Sequence, residues 1–407
     1  MRLRRELLLI YMAAFLRSLG VGLLGVVLGV YLFRIGLDST QIGLVLAAGL
    51  AGGTLATLAV TLHADRLGRR RILLALALVS CLGGLALASA PSLGPLLALA
   101  FVGMLNGMGT DRSATFSLEQ AIIPGLVADR SRTWAFSWYN LLLDCGGALG
   151  ALAGGLPLAL QSLANTDLAT AYRWIFLGYT ATQIVAAALY ALLSPAVEVA
   201  PPATLAQTTS VSAHTKTIVT RLMALFSIDA FGGGFLGDAL VSYWFFRRFG
   251  IHEQTLGALF FVVHLLNAAS HLGAAWLARR IGLVKTMVFT HLPSSVFLIA
   301  VPFTPNVQIA VVLFFIRESL VEMDVPTRQS YVAAVVQPHE RTFASGATNL
   351  TRNVSWAAAA SLAGAFMQHV AFSAPLVLGG SLKIFYDLLL WRGFRHLKAS
   401  EEVAETG

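Results

Sequence analysis

Apolar runs recur along the whole chain, and short connectors rich in Arg, Gly, Pro and Asp separate them. An apolar stretch of about 20 residues is long enough to cross a bilayer as a helix. Lipid cannot satisfy the exposed edges of a sheet, and the chain lacks the alternating pattern of a barrel. The pattern therefore predicts an all-α polytopic membrane protein. The twelve predicted spans cover residues 7–33, 40–62, 71–90, 95–118, 134–160, 172–193, 220–246, 255–277, 285–304, 307–327, 343–368 and 373–392.

Composition and charge support this assignment. Of the 407 residues, 57% are hydrophobic and 12% are charged, whereas soluble domains carry roughly 25% charged residues. Placing both termini in the cytoplasm gathers most of the 28 Lys and Arg residues on inner segments, as the positive-inside rule requires. The net charge of +8 is then explained by basic residues that orient the protein in the membrane and contact anionic lipid. We predict a multi-pass protein of the inner or plasma membrane with no nucleic-acid partner.

The chain is predicted to contain two similar halves. A segment with several prolines and many Ser and Thr residues, SPAVEVAPPATLAQTTSVSAHTK, follows the sixth span and is typical of a linker. FRIGLDSTQIG (33–43) aligns with RRFGIHEQTLG (247–257), and ADRLG (64–68) aligns with ARRIG (278–282). We therefore predict six-helix bundles over 1–193 and 220–407, joined by a cytoplasmic linker over 194–219. In such repeats the substrate binds between the halves.

The connector after the second span carries a recognisable motif. TLHADRLGRRRIL (61–73) resembles the signature loop of the major facilitator superfamily, GxLADRxGRRxxL, although Thr61 and His63 depart from it. The resemblance implies twelve helices in two bundles, transport by alternating access, and a cytoplasmic gate. A carboxylate near a helix N-terminus is favourable, so Asp65 is expected to accept from a facing helix. The gate residues implied by the motif are Asp65, Arg66, Gly68, Arg69 and Arg70.

Two further stretches bear on the type of transporter. GGALGALAGG (146–155) is similar to the glycine motif of drug and metabolite antiporters, with Ala151 in place of the motif proline. Small residues at this spacing also allow ordinary close helix packing, and both interpretations stay open. Many proton antiporters of the superfamily have an arginine where Gly103 stands. The run MDVPTRQ (323–329) resembles a bacterial branch of the superfamily to which we attach no substrate.

Ionisable residues inside the predicted spans are the candidates for function, because charges in the membrane are costly and usually face a cavity. Glu318 and Asp229 are the predicted proton carriers, and His271 is a weaker candidate. The predicted substrate and proton-coupling residues are Arg17, Asp144, Asp229, Asp238, His264, Arg317, Glu318, Glu322 and Arg352. Charges nearer the cytoplasm are assigned to the gate or to structural ion pairs: Arg112, Glu119, Asp324 and Arg328.

The tenth span holds the densest group of these charges. On one continuous helix, Arg317, Asp324 and Arg328 fall on a common face, and the last two form an i,i+4 pair. Pro326 lacks an N–H group and crowds the carbonyl of Glu322. The helix is therefore expected to kink or end there.

The leading functional hypothesis is secondary transport of a small organic molecule, as proton-coupled efflux by antiport. No GxxxxGK[ST] loop is present, so ATP is not the expected energy source. One alternative is uptake or symport of a polar anionic metabolite, with Arg17, Arg317 and Arg352 as clamps. Another is divalent-metal export, and a transporter-like sensor or lipid-handling scaffold is a third.

An enzyme is not predicted, since no nucleophile elbow or comparable constellation occurs. Cys81 and Cys145 both lie inside spans and show no metal-ligand spacing. We therefore expect no cofactor, no structural metal and no disulfide framework. A small-molecule substrate, protons and the lipid bilayer are the expected partners of a monomer.

Overall fold

The computed structural model describes residues 2–89, 92–111, 113–127, 132–198, 212–335 and 341–394. Its regular structure is helical throughout this part of the chain, which confirms the predicted fold class. The helices are α1 (Arg2–Arg34), α2 (Ser39–Leu67), α3 (Arg69–Ser89), α4 (Leu93–Val102), α5 (Ala114–Leu126), α6 (Arg132–Gly154), α7 (Pro157–Leu163), α8 (Leu168–Ala191), α9 (Ala213–Gly234), α10 (Asp238–Phe249), α11 (Glu253–Ile281), α12 (Leu283–Ala300), α13 (Val307–Val321), α14 (Asp324–Val335), α15 (Arg341–His369) and α16 (Ala374–Phe394).

Within the described ranges, 8 helices or nearly continuous helix pairs are long and apolar enough to cross a membrane. A ninth is obtained if α6 and α7, bent by 47° at their junction, count as one span. Two predicted spans are instead divided into shorter helices, the fourth into α4 and α5 and the tenth into α13 and α14. The multi-pass character is therefore clear, while the number twelve stays a prediction.

The described chain forms two compact units. Unit 1 draws on Met1–Pro201, Gly237–His264 and Ala360–Val370. Unit 2 draws on Pro202–Leu236, Leu265–Ala359 and Ala371–Gly407. Helices α11 and α15 each contribute one part to unit 1 and another to unit 2. The division into two six-helix bundles, which the sequence repeat predicts, stays a prediction.

In unit 1, α1 packs closely against α6 because glycines line the contact. A Cβ atom at Gly150 would lie 1.9 Å from the carbonyl oxygen of Leu19, and one at Gly146 would lie 2.5 Å from that of Phe15. The stripe that resembles the antiporter motif thus brings two helix backbones together. This packing fixes the position of Arg17, which lies between Phe15 and Leu19 on α1.

In unit 2, α16 packs against α12 and α9. A Cβ at Gly232 on α9 would lie 2.9 Å from the carbonyl oxygen of Gly379 on α16, so these helices also approach closely through small residues. The aromatic rings of Phe226 and Tyr386 are buried in the same region. Asp229 on α9 and Lys383 on α16 are therefore buried where these helices pack tightly.

In both units, charged residues lie close to a break between two helices. In unit 1 the chain between α4 and α5 passes through positive φ at Met104 and Gly109, and the Asn106 side chain bonds the backbone of Met108 and Thr110. In unit 2 α13 ends at Val321 and α14 begins at Asp324. The expected interruption near Pro326 therefore comes just before it, because proline offers no N–H to the carbonyl of Glu322.

Two buried ionisable networks as the candidate functional site

The first network surrounds Arg17 in unit 1. Its guanidinium donates from Nε to Asp111 at 2.6 Å, and from Nη1 and Nη2 to the two oxygens of Glu119 at 3.2 and 2.7 Å. The Arg17 side chain is 8% exposed and both carboxylates are 0% exposed. A two-pronged contact of this kind is among the strongest hydrogen-bonded ion pairs.

Two tyrosines complete this network. The hydroxyls of Tyr139 on α6 and Tyr190 on α8 each donate to Glu119 at 2.7 Å. The Tyr190 oxygen also accepts from Arg17 at 2.6 Å. Glu119 is thus surrounded by donors, whereas Asp111 accepts only from Arg17 and the backbone N–H of Ser113 in the part of unit 1 that the structure describes.

The charges of the first network are unequal. Among the described residues, one guanidinium, Arg17, contacts two carboxylates, Asp111 and Glu119. Removing an uncompensated charge from water costs several kcal/mol. Among the described residues, one of the two carboxylate charges is therefore not balanced by a cation.

The second network, in unit 2, centres on Asp229 of α9. Its carboxylate accepts from Arg352 Nη1 at 2.8 Å and from Lys383 Nζ at 2.9 Å. Arg328 Nη1 lies 3.5 Å away and also bonds Asp324. Three cations from α14, α15 and α16 therefore lie around Asp229, and one of them, Arg328, is shared with Asp324.

A histidine and a second aspartate extend this network. The Nδ1 atom of His291 lies 3.0 Å from both oxygens of Asp387, and its Nε2 lies 3.2 Å from Lys383 Nζ. A carboxylate only accepts and an ammonium only donates. His291 therefore carries its proton on Nδ1, and its Nε2 accepts from Lys383. This contact orients the ammonium toward Asp229.

Several predicted residues make contacts other than those described for the two networks. Arg317 contacts its neighbour Glu318, and its backbone carbonyl accepts from the Ser294 hydroxyl. In unit 1, His264 Nε2 lies 3.6 Å from Asp238. Other candidates that are partly buried are Asp144 in α6, His271 in α11 and Glu322 at the end of α13.

The predicted gate loop is partly described. Gly68 has a φ of +95° and ends α2, as the motif implies. The backbone N–H groups of Arg69 and Arg70 donate to the Glu198 carboxylate at 2.6 and 3.2 Å. The side chains of Asp65 and Arg66, and all of Arg112, lie outside the described residues.

Glu198 therefore supplies an anion at the N-terminus of α3, the kind of contact that the sequence assigned to Asp65. It was overlooked because it falls in the stretch interpreted as a linker. No local pattern identifies it there.

Sequence reasoning also missed other members of the networks. Lys383 and Asp387 lie in the twelfth predicted span and His291 in the ninth, so the rule for intramembrane charges would have found all three. Asp111 satisfies the same rule but was not selected. Tyr139 and Tyr190 give no sequence signal, because buried tyrosines are common in helices.

The sequence placed Arg17 with the substrate residues and Glu119 with the gate. The structure brings the two together. It likewise joins Arg328, assigned to the gate, to Asp229, assigned to proton coupling.

Comparison with known proteins identifies a family and a curated relative. The family model described as Major Facilitator Superfamily matches residues 10–360 and 222–406. A curated relative, the uncharacterized membrane protein YJR124C of Saccharomyces cerevisiae, is 27% identical over 418 residues, covering 95% of this chain and 93% of that protein.

Solved structures share the fold at low identity. The nucleoside transporter NupG superposes with a TM-score of 0.74 at 13% identity, covering 96% of this chain and 100% of that one. A bacterial homologue of the human lysosomal transporter Spinster gives 0.75 at 16% identity, with 97% and 98% covered. The xylose transporter XylE from E. coli gives 0.73 at 12%, with 99% of each chain covered.

Proposed function

Since the chain belongs to the Major Facilitator Superfamily, we propose that it is a proton-coupled secondary transporter of a small organic molecule. Membership of this family and the multi-pass helical fold support transport rather than catalysis. The substrate class, the direction and the coupling ion are separate proposals. Those features are proposed from the chemistry of the buried networks.

Proton coupling rests on the charge inequality in unit 1. Arg17 there contacts Asp111 and Glu119, and all three side chains are buried. Glu119 is stabilised as an anion by Arg17 and two tyrosine hydroxyls. Asp111 has fewer donors among the described residues, so we assign the transported proton to Asp111. Protonation of Asp111 would weaken its bond with Arg17 and allow the network to rearrange during alternating access.

The sequence favoured export by proton antiport, partly through the glycine stripe of α6. Gly146 and Gly150 pack against the backbone of α1, and this contact accounts for their spacing without reference to direction. Export therefore stays a prediction.

Arg352 and Lys383 beside Asp229 are the kind of groups that the alternative, proton symport of an anionic metabolite, requires. Metal export gains no such support, because the described residues contain no group of three or more His, Cys, Asp or Glu side chains able to hold a metal ion.

We also retain the predicted setting of the protein. In this proposal it acts as a monomer in the inner or plasma membrane, with both termini in the cytoplasm. The concentration of Lys and Arg on one set of connectors supports this orientation. Cysteine substitution in those connectors, followed by labelling with an impermeant reagent from either side, would test it.

The central experiment uses purified protein in liposomes containing a pH-sensitive dye. A panel of metabolites and drugs is added outside, and the sign of the pH change separates symport from antiport. Asp111→Asn should abolish substrate-driven proton movement while substrate exchange continues. Glu318→Gln, which tests the carboxylate chosen from the sequence, should then retain proton movement.

A matched control is Asp167→Asn, because Asp167 is an exposed N-cap of α8 and asparagine also caps helices well. It should behave like the native protein. Absence of proton movement with every substrate that is exchanged would contradict the proposed coupling. Loss of coupling in Glu318→Gln but not in Asp111→Asn would move the proton site to α13.

A further inference from the structure

A third group of polar side chains lies in unit 2, where α11 meets α13, and it is built on Glu318. The Arg317 guanidinium contacts the Glu318 carboxylate through Nη1, and the Asn267 side chain of α11 hydrogen-bonds the same carboxylate. Because a carboxylate only accepts, Asn267 presents its NH₂ group to Glu318. The carbonyl oxygen of Asn267, Oδ1, takes no part in this contact.

Two polar atoms of this group have no hydrogen-bond partner among the described residues. They are Oδ1 of Asn267, an acceptor, and Nε of Arg317, a donor, and both atoms are buried. Asn267 is 7% exposed and Arg317 is 9% exposed. Buried polar atoms are nearly always hydrogen-bonded. An open acceptor and an open donor on the two partners of one carboxylate are therefore the features of a site that binds a polar ligand.

Neighbouring groups hold Arg317 in place. The Ser294 hydroxyl of α12 donates to the backbone carbonyl of Arg317 at 3.1 Å. The guanidinium lies over the Phe314 ring, 5.8 Å from its centroid. The side chains of Arg317 and Glu318 keep 11% and 6% of their exposure, so the group is not fully sealed within the molecule.

The two open atoms select the kind of ligand. A carboxylate only accepts, so it cannot pair with Asn267 Oδ1, and an ammonium only donates, so it cannot pair with Arg317 Nε. A hydroxyl group both donates and accepts, and its hydrogen rotates toward the acceptor. Arg317 and Glu318 already pair with each other, so a neutral ligand leaves this charge balance unchanged.

We propose that Asn267 and Arg317 form part of the substrate site and bind adjacent hydroxyl groups of a neutral polyol or sugar. One substrate hydroxyl donates to Asn267 Oδ1, and another accepts from Arg317 Nε. Glu318 stays paired with both side chains and takes up no proton, so the transported proton remains with Asp111. This inference rests on the proposed transport function and names its substrate class.

Binding measurements test the substrate class without transport. Purified protein in detergent is titrated with glucose, mannitol and myo-inositol, and with succinate and putrescine as charged controls. Calorimetry and thermal shift report binding. At least one neutral compound should bind saturably, and neither charged control should do so. The inference is overturned if no neutral compound binds, or if a charged control binds more tightly than all three.

Variants separate a substrate site from structural support. Arg317→Lys keeps the charge that pairs with Glu318 but has no Nε donor, so it should bind the neutral compound about tenfold more weakly. Asn267→Leu removes the acceptor and should weaken binding at least as strongly. Thr290→Val is the matched control, because the buried Thr290 hydroxyl of α12 bonds the carbonyl of Thr286 in its own helix. Native affinity in both Arg317→Lys and Asn267→Leu would contradict the inference.

Deoxy analogues of the neutral compound that binds give a second test, on the native protein alone. Removal of a hydroxyl that meets Asn267 or Arg317 should weaken binding about tenfold, because the buried partner is then left unpaired. Equal affinities throughout the deoxy series would show that no hydroxyl is recognised and would refute the site. Hydroxyl-dependent binding without proton movement in liposomes would refute the coupling but leave this site intact. Proton-coupled transport of a compound without hydroxyl groups, with no polyol or sugar bound, would do the reverse.

Discussion

The two buried networks differ in the ratio of their charges. Among the described residues of unit 1 one cation, Arg17, contacts two carboxylates, whereas in unit 2 three cations lie around Asp229 in a cluster that also holds Asp324 and Asp387. Both obey the rule that charges removed from water must be paired. In unit 1 the described carboxylates outnumber the cation, whereas in unit 2 three cations are balanced by three carboxylates. The ratio of charges, rather than the number of buried charges, distinguishes the two networks.

Removal of Arg17 should have the largest effect. Arg17→Leu leaves Asp111 and Glu119 buried together without a cation, and we expect it to lower the free energy of unfolding by about 3–5 kcal/mol. Denaturant titration in detergent micelles measures the change. Arg17→Lys keeps the charge but loses the paired contact with Glu119. Its free energy of unfolding should fall between those of the native protein and Arg17→Leu.

The double variant Arg17→Leu with Asp111→Asn sharpens this test. It removes one of the two repelling carboxylates, so part of the lost stability should return. Arg173→Leu, an exposed position on α8, serves as the control for loss of a positive charge. A double variant that is less stable than Arg17→Leu alone would show that charge inequality is not what the arginine offsets.

Removal of one cation from unit 2 should have a smaller effect. In Lys383→Met, Arg352 and Arg328 still face Asp229, so we expect a loss of about 1.5–3 kcal/mol, the range for a hydrogen bond to a charged group. The same denaturant titration applies. If Lys383→Met costs as much as Arg17→Leu, the three cations of unit 2 do not compensate for one another, and the contrast between the networks is lost.

Loss of a tyrosine hydroxyl from unit 1 should have the smallest effect. Tyr190→Phe removes one donor to Glu119 and one acceptor for Arg17, but Tyr139 and Arg17 still bond the carboxylate. We expect a loss of about 1–1.5 kcal/mol. Tyr179→Phe, on the same helix but with no hydrogen bond to Glu119 among those described, is the matched control. Equal losses for the two variants would assign the effect to packing rather than to the Glu119 bond.

The interrupted tenth span shows where sequence reasoning about the site was limited. A single helix would place Arg317, Asp324 and Arg328 on one face, but the chain breaks between Val321 and Asp324. Arg328 and Asp324 do form the expected i,i+4 pair, because four residues of α14 suffice for it. Arg317 instead contacts Glu318. The ion pair between residues four apart on one helix was thus predictable from the sequence. The relative orientation of residues on either side of the break between α13 and α14 was not.

The amino-acid sequence alone determined the helical membrane fold, because the length and polarity of an apolar run are local properties of the chain. It also identified the superfamily, through residues within one short loop. Only the tertiary structure decided which ionisable groups meet. Arg17 and Asp111 are 94 positions apart, and Lys383 and Asp229 are 154 positions apart. A buried charge must find a partner, but the packing of helices through small residues determines which one.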